Sequence, residues 1–335
     1  MSAIAQYVFG VIVLPALVAA AIALPFVLRP LRDRRVLAEA GVACALMAAF
    51  VASFVTENGW IPIARQFVTI EDDDAPFERW HRLATIALGL GAAAWLIALA
   101  RGGGERSRAA VGIAAVLLVA GGVAAVARFP GVTLESLSSR VMVAVFAVAA
   151  IFGFAGFARG VMMWAAWIVF GVLALLMQES GNARLTVLCG ATSAASFAVG
   201  TLLWLGARLR AKAASPAGAA KDAQPRAFDS APRGIAVPIV LGAMAAVVAV
   251  SGRAYDQLDV PVGYWYAAAL LPYMVLLGEV FIRPTVMRRR GLLAFLAILL
   301  GAGVLGGTYA LWRTSENSAE SAPATEGDSL DKYGG

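Results

Sequence analysis

The sequence is short of the side chains that most enzymes use for catalysis. Its 335 residues include one histidine, His81, and two cysteines, Cys44 and Cys189. One histidine excludes a haem held by two histidines, and two widely spaced thiols form no disulfide framework. The Gly-x-x-x-x-Gly-Lys phosphate loop and the His-Glu-x-x-His zinc motif are also missing. We find no catalytic constellation, and we predict a non-enzyme with no cofactor and no metal.

Charged residues are scarce as well, and apolar residues come in long runs. Charged residues make up 14% of the chain and hydrophobic ones 61%, with a mean hydropathy of +0.79. A soluble domain carries about 25% charged residues. Runs of about 20 residues match a hydrocarbon core about 30 Å thick, at a rise of about 1.5 Å per residue. The alternating pattern of outer-membrane strands is absent. The pattern predicts an all-α, polytopic integral membrane bundle.

The apolar runs predict about ten transmembrane helices in a single membrane domain, residues 1–312. A connector at 208–234, rich in Ala, Pro, Lys and Arg, separates seven spans from three and is predicted to be a flexible cytoplasmic linker. The polar, acidic tail at 313–335 is predicted to be disordered and periplasmic. The predicted spans are 4–28, 36–56, 83–100, 109–127, 141–158, 160–177, 185–207, 235–252, 264–282 and 292–312.

One stretch, 141–177, allows two interpretations because it contains a single charged residue, Arg159. As one helix it would be about 55 Å long, far more than one crossing needs. We therefore expect two short spans joined by a cytoplasmic turn. A re-entrant hairpin would reduce the number of spans to eight and leave the orientation of the rest unchanged.

Basic residues are concentrated in every second connector. The connectors 29–35, 101–108, 208–234 and 283–291, together with Arg159, hold 18 of the 27 Lys and Arg residues. The positive-inside rule places these connectors in the cytoplasm and both termini in the periplasm. The Ala, Gly and Arg content suggests a bacterial genome, and hence the inner membrane. The basic connectors are expected to contact anionic lipids rather than nucleic acid.

Two acidic residues, Glu39 and Glu279, fall inside predicted spans. Arg35 precedes Glu39 by four residues and Arg283 follows Glu279 by four, so each pair shares a helix face. We interpret both as interfacial ion pairs, in preference to a role in proton or ion coupling. Charged groups inside a bilayer are nevertheless the best default pointers to function.

The ninth span holds three candidates for a substrate path: Glu279, Pro272 and Tyr273. Proline breaks the hydrogen-bond ladder of a helix, and opened backbone within a membrane often lines a cavity. The aromatic run 264–266 at the start of this span is interpreted as an interfacial anchor.

The seventh span carries a polar stripe at three- and four-residue steps, so its members share one helix face. Such a face lines a solute path or lets a neighbouring helix approach and accept hydroxyl hydrogen bonds. We favour packing, and we keep Thr186, Ser193 and Ser196 as candidates for a substrate path. The stripe consists of Thr186, Ser193, Ser196, Cys189 and Gly200.

The external connector 57–82 is rich in acidic residues. Clustered carboxylates bind divalent cations, and a histidine beside acids can transfer protons. Consecutive acids point in different directions, however, and the spacing of a calcium loop is missing, so we favour a solvated negative cap. The residues concerned are Glu71, Asp72, Asp73, Asp74, Glu78 and His81.

Three functions remain open at this point. The first is a secondary transporter or permease for a small or lipid-like solute. The second is a non-catalytic membrane subunit or scaffold, with membrane-protein partners. The third, a remote one, is an enzyme that uses the acidic connector on a lipid-linked substrate at the periplasmic face. The surroundings of Glu279 and of the seventh span discriminate between the first two.

Overall fold

The structure of this chain is built from helices. It is a computed structural model that describes residues 8–27, 35–66, 79–100, 105–126, 137–157, 161–214, 234–276 and 290–320. These ranges contain no strand, and nine of their helices are long and apolar enough to cross a membrane. The all-helical prediction is confirmed, and the nine long apolar helices are compatible with a multi-pass membrane protein. Insertion into the bilayer and the side on which each terminus lies stay predictions.

We number the helices in chain order. α1 begins with a π-helical turn at Phe9–Val13, a short 3-10 turn at Arg79–His81 precedes α4, and α6 ends in a π-helical segment at Gly153–Phe157. The helices are α1 (Phe9–Val27), α2 (Arg35–Asn58), α3 (Ile61–Ala64), α4 (Arg82–Ala100), α5 (Glu105–Val126), α6 (Leu137–Phe152), α7 (Met162–Glu179), α8 (Ala183–Ala214), α9 (Ala236–Ala254), α10 (Val262–Ala269) and α11 (Arg290–Glu320).

The stretch 141–177 contains two separate helices. The segments Leu137–Gly156 and Met162–Glu179 are each long enough to cross a membrane. Arg159, which was expected to lie in the turn between them, is outside the described residues.

The ninth predicted span, 264–282, is not a continuous helix where the structure describes it. α10 ends at Ala269, and a 3-10 turn follows at Leu271–Tyr273. Residues 277–282, including Glu279, lie outside the described residues, as does Arg283. Nine rather than ten helices therefore meet the length required for a crossing within the described ranges, and the tenth crossing stays a prediction.

α9 forms the centre of the bundle. Every residue from Ala236 to Gly252 is buried, and α9 packs against α2, α4, α5, α6, α7 and α10. Small side chains allow this close approach. At Gly242 the backbone of Ile151 in α6 occupies the place that a Cβ would need. By contrast, only 17% of the most apolar 18-residue segment of α11 is buried inside the bundle, against 94% of the corresponding segment of α9.

Two helices run further than the hydropathy pattern predicts. α8 continues to Ala214, seven residues into the predicted linker, and α11 continues to Glu320, eight residues into the predicted tail. Extending an existing helix adds a hydrogen bond for each residue, and the Ala, Arg and Lys after residue 206 are good helix formers. The rest of the linker (215–233) and of the tail (321–335) lies outside the described residues.

Candidate functional site

Two helices depart from α-helical hydrogen bonding at the place where they touch. The π segment Gly153–Phe157 of α6 contacts the 3-10 turn Leu271–Tyr273 that follows α10. The Tyr273 hydroxyl donates a hydrogen bond to the Ala149 carbonyl, with an oxygen–oxygen distance of 2.8 Å. We call these two segments and their contact the α6–α10 junction.

Proline explains one side of the junction. Pro272 has no N–H, so it donates no bond to the carbonyl four residues earlier, and its ring clashes with that carbonyl. The chain tightens instead into a 3-10 turn, in which the Tyr273 N–H bonds to the Leu270 carbonyl at 2.9 Å. Pro272 is buried and Tyr273 is half-buried.

Glycine explains how closely the other side approaches. A Cβ at Gly153 would lie 2.9 Å from Cε2 of Tyr273 and 3.5 Å from Cβ of Pro272. The tyrosine ring therefore lies on the backbone of α6 where a side chain would otherwise stand. Pro272 could be recognised from sequence, whereas the π segment has no signal of its own beyond Gly153 and Gly156.

Both interruptions are of kinds that recur at functional sites. Single-turn π segments are frequent at functional sites, and interrupted helices form the binding sites of many transporters. Of the predicted path residues, the structure brings Pro272 and Tyr273 to this point. Glu279, the third candidate in the same span, lies outside the described residues.

The polar stripe of the seventh predicted span faces the bundle interior on α8. Its hydroxyl groups donate to backbone carbonyls at 2.8–2.9 Å: Thr186 to Asn182, Ser196 to Thr192, and Ser193 across to Trp167 of α7. These three side chains are at most 7% exposed. The hydroxyl groups are thus hydrogen-bonded to backbone carbonyls, as the packing interpretation expects. The stripe lies on α8 and is not part of the α6–α10 junction.

Glu39 is buried at the start of α9. The residue is only 5% exposed, and its Oε1 accepts a hydrogen bond from the backbone N–H of Ala236. Gly234 lies so close that any side chain there would overlap the carboxylate. The sequence predicts an ion pair with Arg35 at the interface. The side chain of Arg35 lies outside the described residues, so that pair stays a prediction.

His81 is buried, whereas the sequence predicts that its connector forms a solvated cap. Its ring lies 5.7 Å from that of Phe54 and 4.3 Å from that of Trp80, between centroids. Its backbone carbonyl accepts a bond from Gln66 at 3.3 Å, and the Thr85 hydroxyl donates to Gln66 at 2.6 Å. The acids of the connector, 71–74 and Glu78, lie outside the described residues.

Asp256 organises the turn between α9 and α10, and sequence reasoning missed it. Its side chain is fully buried, with one oxygen 3.1 Å from the Leu258 nitrogen. The other oxygen lies 3.4 Å from Nε1 of Trp265 and 3.8 Å from Arg253. These contacts with Leu258, Trp265 and Arg253 hold the turn in place. This is a structural role.

Metal binding has no support in the part of the chain that is described. No group of three His, Cys, Asp or Glu side chains stands close enough there to hold a metal ion. The sequence-based expectation of no metal and no cofactor stays a prediction.

Comparison with protein-family models, with curated proteins and with solved structures finds no match to this chain. The functional argument therefore depends on the geometry above.

Proposed function

We propose that this protein is a secondary transporter or permease for a small or lipid-like solute. The observation that carries the proposal is the α6–α10 junction, where two helices are interrupted at the point of contact. Transporters alternate between two arrangements of rigid helices around such interruptions. A bacterial inner-membrane location, with the basic connectors in the cytoplasm, completes the proposal.

The proposal requires a second arrangement of the junction. The hydrogen bond from Tyr273 to Ala149 and the packing of the Tyr273 ring on Gly153 are among the contacts that this arrangement would exchange. A hydrogen bond between membrane helices contributes about 0.6 kcal/mol on average. A second arrangement within a few kcal/mol is populated enough for a solute to select it.

Locking the junction tests the proposal directly. The 3.5 Å separation between an ideal Cβ at position 153 and Cβ of Pro272 falls in the range for a disulfide, about 3.5–4.5 Å. We would therefore make Gly153→Cys with Pro272→Cys in a background carrying Cys44→Ala and Cys189→Ala. The purified protein would be reconstituted in liposomes of phosphatidylethanolamine and phosphatidylglycerol.

The probe is a short-chain NBD-labelled phosphatidylethanolamine, and albumin extraction measures its movement between leaflets. We expect the reduced double variant to move the probe, oxidation to stop the movement, and reduction to restore it. Each single cysteine variant is the control and should not respond to the oxidant. Equal movement with the junction locked and open, or no movement by the protein that keeps Gly153 and Pro272, would count against the proposal.

A second function is favoured by a different observation. The hydroxyl groups of the α8 stripe bond to backbone within the bundle, as they would in a non-catalytic membrane subunit or scaffold. Such a subunit has membrane-protein partners. Extraction in a mild detergent that yields only the isolated chain would contradict this function, whereas a stable complex of defined stoichiometry would support it.

Enzymatic activity is the third and weakest proposal. It requires Asp72, Asp73, Asp74 and Glu78, which lie outside the described residues, to act with His81 on a lipid-linked substrate. The edge-to-face contacts of the His81 ring with Phe54 and Trp80 give it a packing role instead. Alanine at the four acidic positions should abolish the cellular phenotype if the chain is such an enzyme, and should leave it intact if the acids form a solvated cap.

A further inference from the structure

An apolar groove runs between α4 and α5 on the outside of the bundle. Its volume is about 620 Å³, and it extends from Thr85 to Ala100 on one helix and from Val111 to Val126 on the other. At about 1.5 Å per residue it is about 22 Å long, longer than one leaflet of a hydrocarbon core about 30 Å thick.

The groove has a buried floor and exposed walls. Ile86, Leu90 and Val123 form part of the floor and are at most 7% exposed, whereas Leu118 on the wall is 75% exposed. Both helices are candidate membrane spans, so the open side of the groove faces the depth at which lipid chains lie. No water is present there to fill it.

Among the described residues that line the groove, only Thr85 has a polar side chain, and it lies at the end at which α4 begins. Its hydroxyl donates to Gln66, and Gln66 in turn donates to the His81 carbonyl. Arg82 lies one helical turn away on the same helix. The groove is thus apolar along most of its length and polar at one end, as a membrane lipid is.

The volume matches one acyl chain. A transmembrane helix about 10 Å across would insert only the side chains of one face between α4 and α5, whereas an acyl chain would lie within the groove along its length. A methylene group is close in size to a water molecule, which takes about 30 Å³, so a chain of sixteen carbons needs about 500 Å³. An unfilled groove would forfeit the dispersion contacts of its lining.

We infer that the α4–α5 groove is a binding site for one acyl chain of a membrane lipid, with the lipid headgroup beside Thr85 and Arg82. Packing of the chain against the floor, rather than exclusion from water, holds it, because the surrounding lipid is equally apolar. The inference concerns binding and does not depend on the transport proposed above.

Photolabelling of the full chain tests this inference. The protein is reconstituted in liposomes of phosphatidylethanolamine and phosphatidylglycerol that contain a phosphatidylethanolamine with a diazirine in one acyl chain. After illumination, mass spectrometry compares the label on α4 and α5 with that on α11, which is mostly exposed. We expect the groove residues to be labelled several-fold more strongly than the α11 residues.

Two glycines allow the groove to be filled beside a matched control. Gly89 and Gly122 line the groove, Gly121 does not, and a Cβ at any of the three meets nothing within 4 Å. We expect Gly122→Leu and Gly89→Leu to lower groove labelling at least about fivefold, because leucine takes the place of several methylene groups. Gly121→Leu should leave it unchanged. Labelling of α11 should be equal in all variants and reports that each is incorporated equally into the bilayer.

Two results would overturn the inference. One is even labelling of the groove and of α11, or labelling that Gly122→Leu does not reduce, since the lipid would then be ordinary surrounding bilayer. The other is a cross-link from a photoreactive residue at position 118 to another protein in native membranes. That result would assign the groove to a partner helix.

Discussion

The carboxylate of Glu39 in α2 accepts a hydrogen bond from the backbone N–H of Ala236, a residue 197 positions further along the chain. Ala236 is the first residue of α9, and the preceding Ile235 offers no side-chain cap. The first N–H groups of a helix have no partner within it and carry partial positive charge. Glu39 therefore supplies, from another helix, the cap that the most buried helix of the bundle lacks.

Two replacements of Glu39 should lower the free energy of unfolding by different amounts. Glu39→Gln keeps an oxygen acceptor but loses the charge, and should cost about 0.5–2 kcal/mol of unfolding free energy. Glu39→Leu also leaves a buried N–H without its acceptor, and should cost about 1–3 kcal/mol more. Unfolding of the purified protein in mixed detergent micelles measures both. Glu57→Gln on the exposed end of the same helix is the control and should change the free energy by less than about 1 kcal/mol.

A methyl group at Gly242 should destabilise the bundle. The Cβ of Gly242→Ala would overlap the backbone of Ile151, which cannot move aside as a side chain can. Overpacking of this kind costs about 1–3 kcal/mol. Gly121→Ala is the matched control, because nothing lies within 4 Å of its Cβ and alanine favours a helix. The midpoint of thermal unfolding should fall for the first variant and stay or rise for the second. The opposite order would show that α6 and α9 are further apart than described.

Two serines in α8 should differ in their effect on stability. The Ser193 hydroxyl bonds to the Trp167 carbonyl of α7, whereas the Ser196 hydroxyl bonds to the Thr192 carbonyl of its own helix. Ser193→Ala should therefore cost about 0.6 kcal/mol, the average for a bond between membrane helices, and at most about 1.7 kcal/mol. Ser196→Ala should cost close to nothing, because back-bonding within a helix adds little. Equal costs, measured by the same unfolding method, would contradict the bond between α7 and α8.

The sequence predicts helices better than it predicts their contacts. Hydropathy locates the crossings because each depends on a local run of about 20 residues. Pro272 marks a break for an equally local reason, its missing N–H. The π segment at Gly153–Phe157 depends on what packs against it, and no rule of composition distinguishes it from the α-helix before it.

Burial of single side chains is where prediction from sequence fails. Trp265 lies in an aromatic run typical of an interfacial anchor, yet it is fully buried and its ring packs against Gly252. His81 and Glu39 are buried too, although each is polar and lies near a helix end, where exposure would be expected. The partners that bury them lie far away in the chain, and periodicity carries no information about such contacts.

The number of crossings is tested by the side on which Arg289 lies. If 264–282 crosses the membrane despite the break at Leu271–Tyr273, Arg289 is cytoplasmic, on the same side as Arg34. If that stretch does not cross, Arg289 is periplasmic, on the side of Asp259. Single cysteines at these three positions, in a background with Cys44→Ala and Cys189→Ala, would be treated in spheroplasts with a maleimide that does not cross membranes.

We expect label at position 259 and none at positions 34 and 289 until the membrane is permeabilised. A cysteine at position 159 should behave like the one at position 34, because the two-span interpretation of 141–177 places it in the cytoplasm. In the alternative, the four arginines of the connector 283–291 would lie on the periplasmic side, against the positive-inside rule. Label at position 289 in intact spheroplasts would contradict the tenth crossing and place the carboxyl-terminal end of α11 in the cytoplasm.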